Sequence, residues 1–204
     1  MSKVDRIATK IAPYLPDGIS HSIAKAIIEH RVVVRVTKPR ASKLGDYRPP
    51  YNGDTHRISV NGDLNPYSFL VTLLHEFAHL EAWSIQKDLK NPHGKIWKQQ
   101  FVQLLRQYMH VFPEDVQLGL KNYLANPKAS SCSDEALTRV LNRYDERKQL
   151  YLEDIPYNEV FELQGGKRFI KREKLRKRYK CQEVGTNRIY YVSPVAEVDI
   201  IGLK

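Results

Sequence analysis

The chain has 204 residues, 42% of them hydrophobic, and a formal net charge of +10. This length suits one domain, or one domain with a small appendage, and the hydrophobic share can bury a real core. Two cysteines, Cys132 and Cys181, are too few for a disulfide scaffold, and no apolar run approaches the roughly 20 residues of a membrane-spanning helix. The sequence pI near 9.5 points to an anionic partner, most often nucleic acid. The opening MSKVDRIATKIAPYL carries Asp5 and Lys10 among its apolar residues, so it does not read as a secretory signal. The expectation is a soluble cytoplasmic protein with no membrane partner.

Apolar spacing of three and four predicts helices over residues 3–14 and 20–31. The β-branched run RVVVRV at 31–36 reads as a strand, and HRISVNG at 56–62 as a second one. Between them, GDYRPP and YNGDT form a turn-rich stretch. Strand 56–61 is expected at the edge of its sheet, where it would take substrate backbone by strand addition. Asn65-Pro66 opens a helix that runs to about Gln86, because Asn caps well and Pro is tolerated at the first helical position. Asn91-Pro92-His93-Gly94 breaks the pattern. A further helix follows with Trp97, Phe101, Leu104, Leu105 and Tyr108 as its apolar stripe. Pro113 starts another that ends near Leu124. PKASSCS at 127–133 reads as a linker, and Ser133 as the cap of a helix beginning SDEALTRVL.

After Tyr151 the pattern changes to strand-like segments at 159–163, 175–184, 188–192 and 195–201, separated by Gly165-Gly166, Gly185 and Pro194. The fold class expected is α+β, a mainly helical core with a short β-sheet over 1–150 and a small antiparallel β appendage over 151–204. No internal repeat or low-complexity tract occurs.

The stretch LLHEFAHLEAW at 73–83 carries the chemistry. Residues four apart share one helical face, so His75 and His79 can present ring nitrogens to one ion. Zinc takes neutral imidazole at about 2.0–2.1 Å. Glu76 lies roughly 100° round the helix, which sets its carboxylate beside the ion, where it can take a proton from an attacking water. Apolar residues surround the motif on nearly every side, and ionisable groups on a buried helix are costly unless they bind something. A catalytic site needs a third protein ligand and one open position. His93 is the best candidate, fourteen residues after His79 at the break before the next helix, with Gly94 allowing close backbone approach. His110 and Glu114 are alternatives, whereas His21, His30 and His56 read as ordinary surface or packing histidines.

SKLGDYR at 42–48, the strand before the helix, HEFAH at 75–79 and HGKIWK at 93–98 together resemble the SprT family of zinc metallopeptidases, to which Spartan belongs. The resemblance covers about residues 20–110 and looks closest to compact bacterial members. It implies a zincin-like catalytic core, one zinc held by His75, His79 and His93, Glu76 as the catalytic base, and protein substrates, in some members bound to or crosslinked with DNA. Many members end in a four-cysteine zinc ribbon. Here that region keeps Cys181 alone, which implies a ribbon-like shape without metal.

Residues 167–180, KRFIKREKLRKRYK, hold nine Lys/Arg and one Glu, so most of the net charge sits there. Lys171, Arg172, Lys174, Arg176, Arg178 and Lys180 are therefore candidate DNA contacts. A strand over 175–181 would align Arg176, Arg178 and Lys180 on one face, a row that touches phosphates and reads no bases. Two other functions fit the same residues: a DNA-binding module with a purely structural zinc, and a zinc amidase acting on a small molecule. No residue stands out as an oxyanion stabiliser.

Overall fold

The computed structural model describes residues 1–40, 43–87, 91–125, 127, 134–146, 150–163 and 165–201. Ser42, Asp88, Cys132, Ser133 and, apart from Pro127, the expected linker 127–133 lie outside the described residues. The chain is α+β and divides into two compact units, Met1–Asp145 and Glu146–Lys204.

The first unit begins with α1 (Lys3–Ile11), capped by Ser2 in a capping box with Asp5. The helical pattern reaches Tyr14 only as a tighter turn, Ala12–Tyr14, because Pro13 has no N–H to give the α ladder. α2 (Ser20–Glu29) leads into a three-stranded sheet of β1 (Val32–Thr37), β2 (Gly45–Arg48) and β3 (His56–Asn61). The order is β1-β3-β2, with β1 parallel and β2 antiparallel to β3. The expectation of an edge strand at 56–61 is thus overturned: β3 is central and hydrogen-bonded on both sides. The edges are β1 and β2. β2 falls in the stretch that reads as turns, since four residues with a glycine and two charges carry little strand signal of their own.

α3 (Pro66–Ile85) crosses this sheet and packs against β2, β3 and α4 (Lys95–Gln107). Every side chain from Phe69 to Ala78 is buried, including His75 and Glu76. From α4, Trp97, Phe101 and Leu105 complete the same core, at roughly 1.5–3 kcal/mol for each large apolar side chain removed from water. α5 (Glu114–Leu124) and α6 (Glu135–Leu141) close the unit. The cap of α6 is Asp134, whose side chain accepts from the Leu137 N–H.

In the second unit six strands form an antiparallel sheet in the order β4-β9-β5-β6-β7-β8. They are β4 (Leu150–Tyr151), β5 (Val160–Leu163), β6 (Lys167–Lys174), β7 (Tyr179–Glu183), β8 (Ile189–Val192) and β9 (Glu197–Ile200). A separate small core of Leu152, Ile155, Phe161, Phe169, Tyr179, Cys181 and Val198 supports it. The expected strand 175–184 starts only at Tyr179. Residues 175–178 turn the chain between β6 and β7, and the Leu175 N–H donates to the Arg178 carbonyl at 2.8 Å.

Asn65 fixes the start of α3. Its Oδ1 accepts from the N–H groups of Tyr67 (3.1 Å) and Ser68 (3.0 Å). Its Nδ2 donates to the Leu141 carbonyl (3.0 Å) and the Asp145 carboxylate (2.6 Å). Replacing Asn65 by Ala removes the cap and leaves a buried carbonyl without its donor, so a destabilisation of about 2–3 kcal/mol is expected. Urea unfolding of the variant checks this; a change below about 0.5 kcal/mol would mean Asn65 is not what anchors the helix.

Candidate metal centre

His75 and His79 stand one turn apart on α3, and His93 reaches the same point from the turn before α4. Their Nε2 atoms are separated by 3.3 Å (His75 to His79), 3.0 Å (His79 to His93) and 3.2 Å (His75 to His93). Ligands about 2.05 Å from a tetrahedral ion would lie about 3.3 Å from one another, so the three nitrogens fit the corners of one zinc coordination shell. They are the one group of three or more potential ligand side chains found among the described residues. His110, in the turn Met109–Val111, and Glu114, at the start of α5, are not part of the group.

The surroundings keep these rings neutral. Burial, and then the neighbouring imidazoles, push His75 down to about 3. Burial and then His93 push His79 down to about 4, and burial lowers His93 as well. Each can therefore offer a lone pair at neutral pH without first losing a proton. Trp97 braces the cluster. Its ring meets His75 and His93 edge-on, with centroids 4.7 Å apart in both cases, and its Nε1 donates to the His75 carbonyl at 3.3 Å.

Glu76 is buried beside the cluster and faces β2. The Tyr47 N–H donates to its carboxylate, and burial, followed by the nearby Asp46, pushes its carboxyl up to about 8. A cation at the histidines would oppose that shift by favouring the carboxylate. Gly45 explains how Glu76 fits. A Cβ at position 45 would overlap the Glu76 carboxylate, standing 2.8 Å from its Cγ and 2.9 Å from its Cδ. Gly45 is not in the left-handed region, so the glycine is needed for space rather than for conformation. Tyr47, two residues on, faces the same way. Its ring lies parallel to His79 at 6.2 Å, and its hydroxyl shares a 2.9 Å hydrogen bond with His56 Nδ1. Gly45 and Tyr47 were not singled out from the sequence as site residues, although strand alternation would have paired them once β2 was known.

His56, read as ordinary, contacts Tyr47 and also meets Trp83 edge-on with centroids 5.0 Å apart. His30 pairs with Glu81 at 3.1 Å, and His21 lies 3.5 Å from Asp5.

The basic segment does not form the expected row, because Arg176 and Arg178 sit in the turn and Lys180 in β7. Lys171, expected at the DNA-facing surface, is instead buried. It is 2% exposed, its ammonium donates to the Ile155 carbonyl (2.5 Å) and the Glu153 carbonyl (3.3 Å), and it stands 4.2 Å from the Tyr179 ring centroid. A cation held this way supports its own unit and is not presented to phosphates. Arg172 is taken up by Gln182 (2.9 Å) and Asn158 (2.6 Å), and Lys180 by Glu173 (3.0 Å). Lys174, Arg176, Lys177 and Arg178 are exposed around the β6–β7 turn.

Residues 28–117 match the family model described as the SprT-like family. Over these residues the chain is similar to the SprT-like family. The SprT-like match spans β1, β2, β3, α3 and α4 and therefore every residue of the histidine cluster. No curated protein and no solved structure is significantly similar to the chain. Among the described residues, no helix is long and apolar enough to cross a membrane.

The contact between Gly45 and Glu76 can be measured. Gly45→Ala overpacks the site and should cost about 1–3 kcal/mol, but most of that cost should vanish in a Glu76→Ala background, where the clashing carboxylate is gone. A double-mutant cycle by chemical denaturation that finds the same cost in both backgrounds would refute the steric account.

Proposed function

We propose that this chain is a zinc-dependent peptidase whose ligands are His75, His79 and His93 and whose general base is Glu76. The observation that carries the reading is the convergence of three neutral imidazole nitrogens at 3.0–3.3 Å beside a buried carboxylate, within a SprT-like region. The helix pair α3–α4 laid on a short sheet fits a zincin-like core. A zinc ion held there would polarise the scissile carbonyl and lower the pKa of a water. The Glu76 carboxylate, fixed by the Tyr47 N–H and by the space at Gly45, takes the proton of the attacking water and returns it to the leaving nitrogen. Substrate backbone docks along the edge strand β2, which has one free side and lies against Glu76, rather than along the central β3.

A purely structural zinc would ordinarily have a fourth protein ligand, and none of the described residues supplies one. The second unit fits a ribbon-like sheet without metal. Cys181 is buried, and burial pushes its thiol up to about 11, so it stays protonated and is a poor ligand. We therefore expect one zinc per chain. Elemental analysis should find about one zinc in the wild type, almost none in His75→Ala or His79→Ala, and much less in His93→Ala. Glu76→Gln should keep the zinc and lose orders of magnitude in proteolysis, because the amide preserves size while removing the base. Two zincs per chain, or undiminished activity in Glu76→Gln, would overturn the assignment.

DNA binding is part of the proposal and rests on the exposed turn of Lys174, Arg176, Lys177 and Arg178. Affinity carried by phosphates falls with salt at a log–log slope of about −0.9 per phosphate neutralised. Changing Arg176, Lys177 and Arg178 together to Gln should flatten that slope by roughly two to three units, equally across DNA sequences, with zinc content unchanged. Fluorescence anisotropy over a salt series decides it. Wild-type slope and affinity in the triple variant would remove DNA from the reading.

A further inference from the structure

A groove of about 870 Å³ opens beside the histidine cluster, with His93 and Gly94 at one end. One wall is a stripe of α4: Lys95, Lys98, Gln99, Val102, Gln103 and Arg106, spaced three and four apart and so aligned along a single face. The opposite wall is Leu124, Ala125 and Pro127. No Asp or Glu lines the groove among the described residues. Lys95 and Arg106 are exposed and make no ion pair with any described residue.

Lys95 and Arg106 are eleven residues apart on one helix, or about 16 Å at 1.5 Å per residue. About five residues of extended polypeptide, at roughly 3.3 Å each, cover that distance. The lining chemistry suits a peptide. Gln99 and Gln103 carry both donors and acceptors, as a peptide backbone does, whereas a phosphate chain has no donor for their carbonyl oxygens. Val102, Leu124 and Pro127 give side chains an apolar surface, and among the described residues no Phe, Tyr or Trp lines the groove as a stacking platform for bases. Lys95 and Arg106, at opposite ends of a stripe without carboxylates, select negative side chains.

We propose that this groove is a substrate subsite that receives an extended, acidic stretch of polypeptide on one side of the scissile bond, a reading that rests on the peptidase assignment and names its substrate class. The peptide leaves the reacting centre past His93 and runs along α4, with Asp or Glu side chains near Lys95 and Arg106. The apolar wall holds whatever lies between them.

Binding is tested with the zinc-loaded Glu76→Gln protein and fluorescein-labelled peptides that differ only in carrying Glu, Gln or Lys over a five-residue stretch. The Glu peptide should bind about tenfold tighter than the Lys peptide, and Lys95→Glu with Arg106→Glu should reverse the order. Equal affinities, or an order unchanged by the reversal, would overturn the proposal. So would an oligothymidylate that displaces the Glu peptide and whose own binding is abolished by the same reversal, since the groove would then be a nucleic-acid site. Turnover by the wild type, read separately, keeps the two readings distinct. If the Glu peptide binds in the charge-dependent manner but is never cut, the peptidase reading falls and the groove stands. Cleavage that is indifferent to peptide charge removes the groove and leaves the peptidase.

Discussion

The burial of α3 is the constraint on which the first unit depends. A helix whose side chains are buried without a break from Phe69 to Ala78 has no solvated face on which to place His75 and Glu76. Unpaired ionisable groups in such a place are expensive. Two devices relieve the cost. The histidines are held neutral and aimed at one point, where a shared cation would give all three a partner. The carboxylate is pressed against an edge strand that offers it the Tyr47 N–H and, at Gly45, the absence of a side chain. The same packing that makes the helix a core element therefore orients its polar residues toward one another.

The rest of the unit supports that helix. Asn65 fixes its first turn and links it to the chain near Leu141 and Asp145. The sheet order β1-β3-β2 places a strand with a free edge next to Glu76, which is where an incoming peptide backbone would be useful. α4 contributes on two faces. Trp97 and Phe101 face inward and brace the imidazoles, while the Lys95–Arg106 stripe faces the groove. The helix that carries no acidic residue is thus both a support for the ligands and a basic wall beside them.

Much of the site was legible in the sequence because it depends on short-range periodicity. Spacing of four set His75 and His79 on one face, the Asn-Pro dipeptide marked the helix start at the residue found, and the chain break before α4 singled out His93. What could not be read depends on long-range pairing. β2 has four residues and gains its identity only from hydrogen bonds to β3, so neither its existence nor the central place of β3 is visible locally. Lys171 looked like its neighbours in a basic run. Its burial follows from alternation in β6, a strand whose charged residues concealed the pattern. The expected basic row failed for the same reason, since KLRKR is interrupted by a turn that no glycine or proline announces.

X-ray absorption at the zinc edge tests the central claim most directly. The account predicts three imidazole nitrogens at about 2.0 Å and one oxygen, with no sulfur scattering, from protein loaded with one zinc per chain. A sulfur shell near 2.3 Å, or a coordination sphere without multiple imidazoles, would contradict it and place the metal somewhere other than the three histidines.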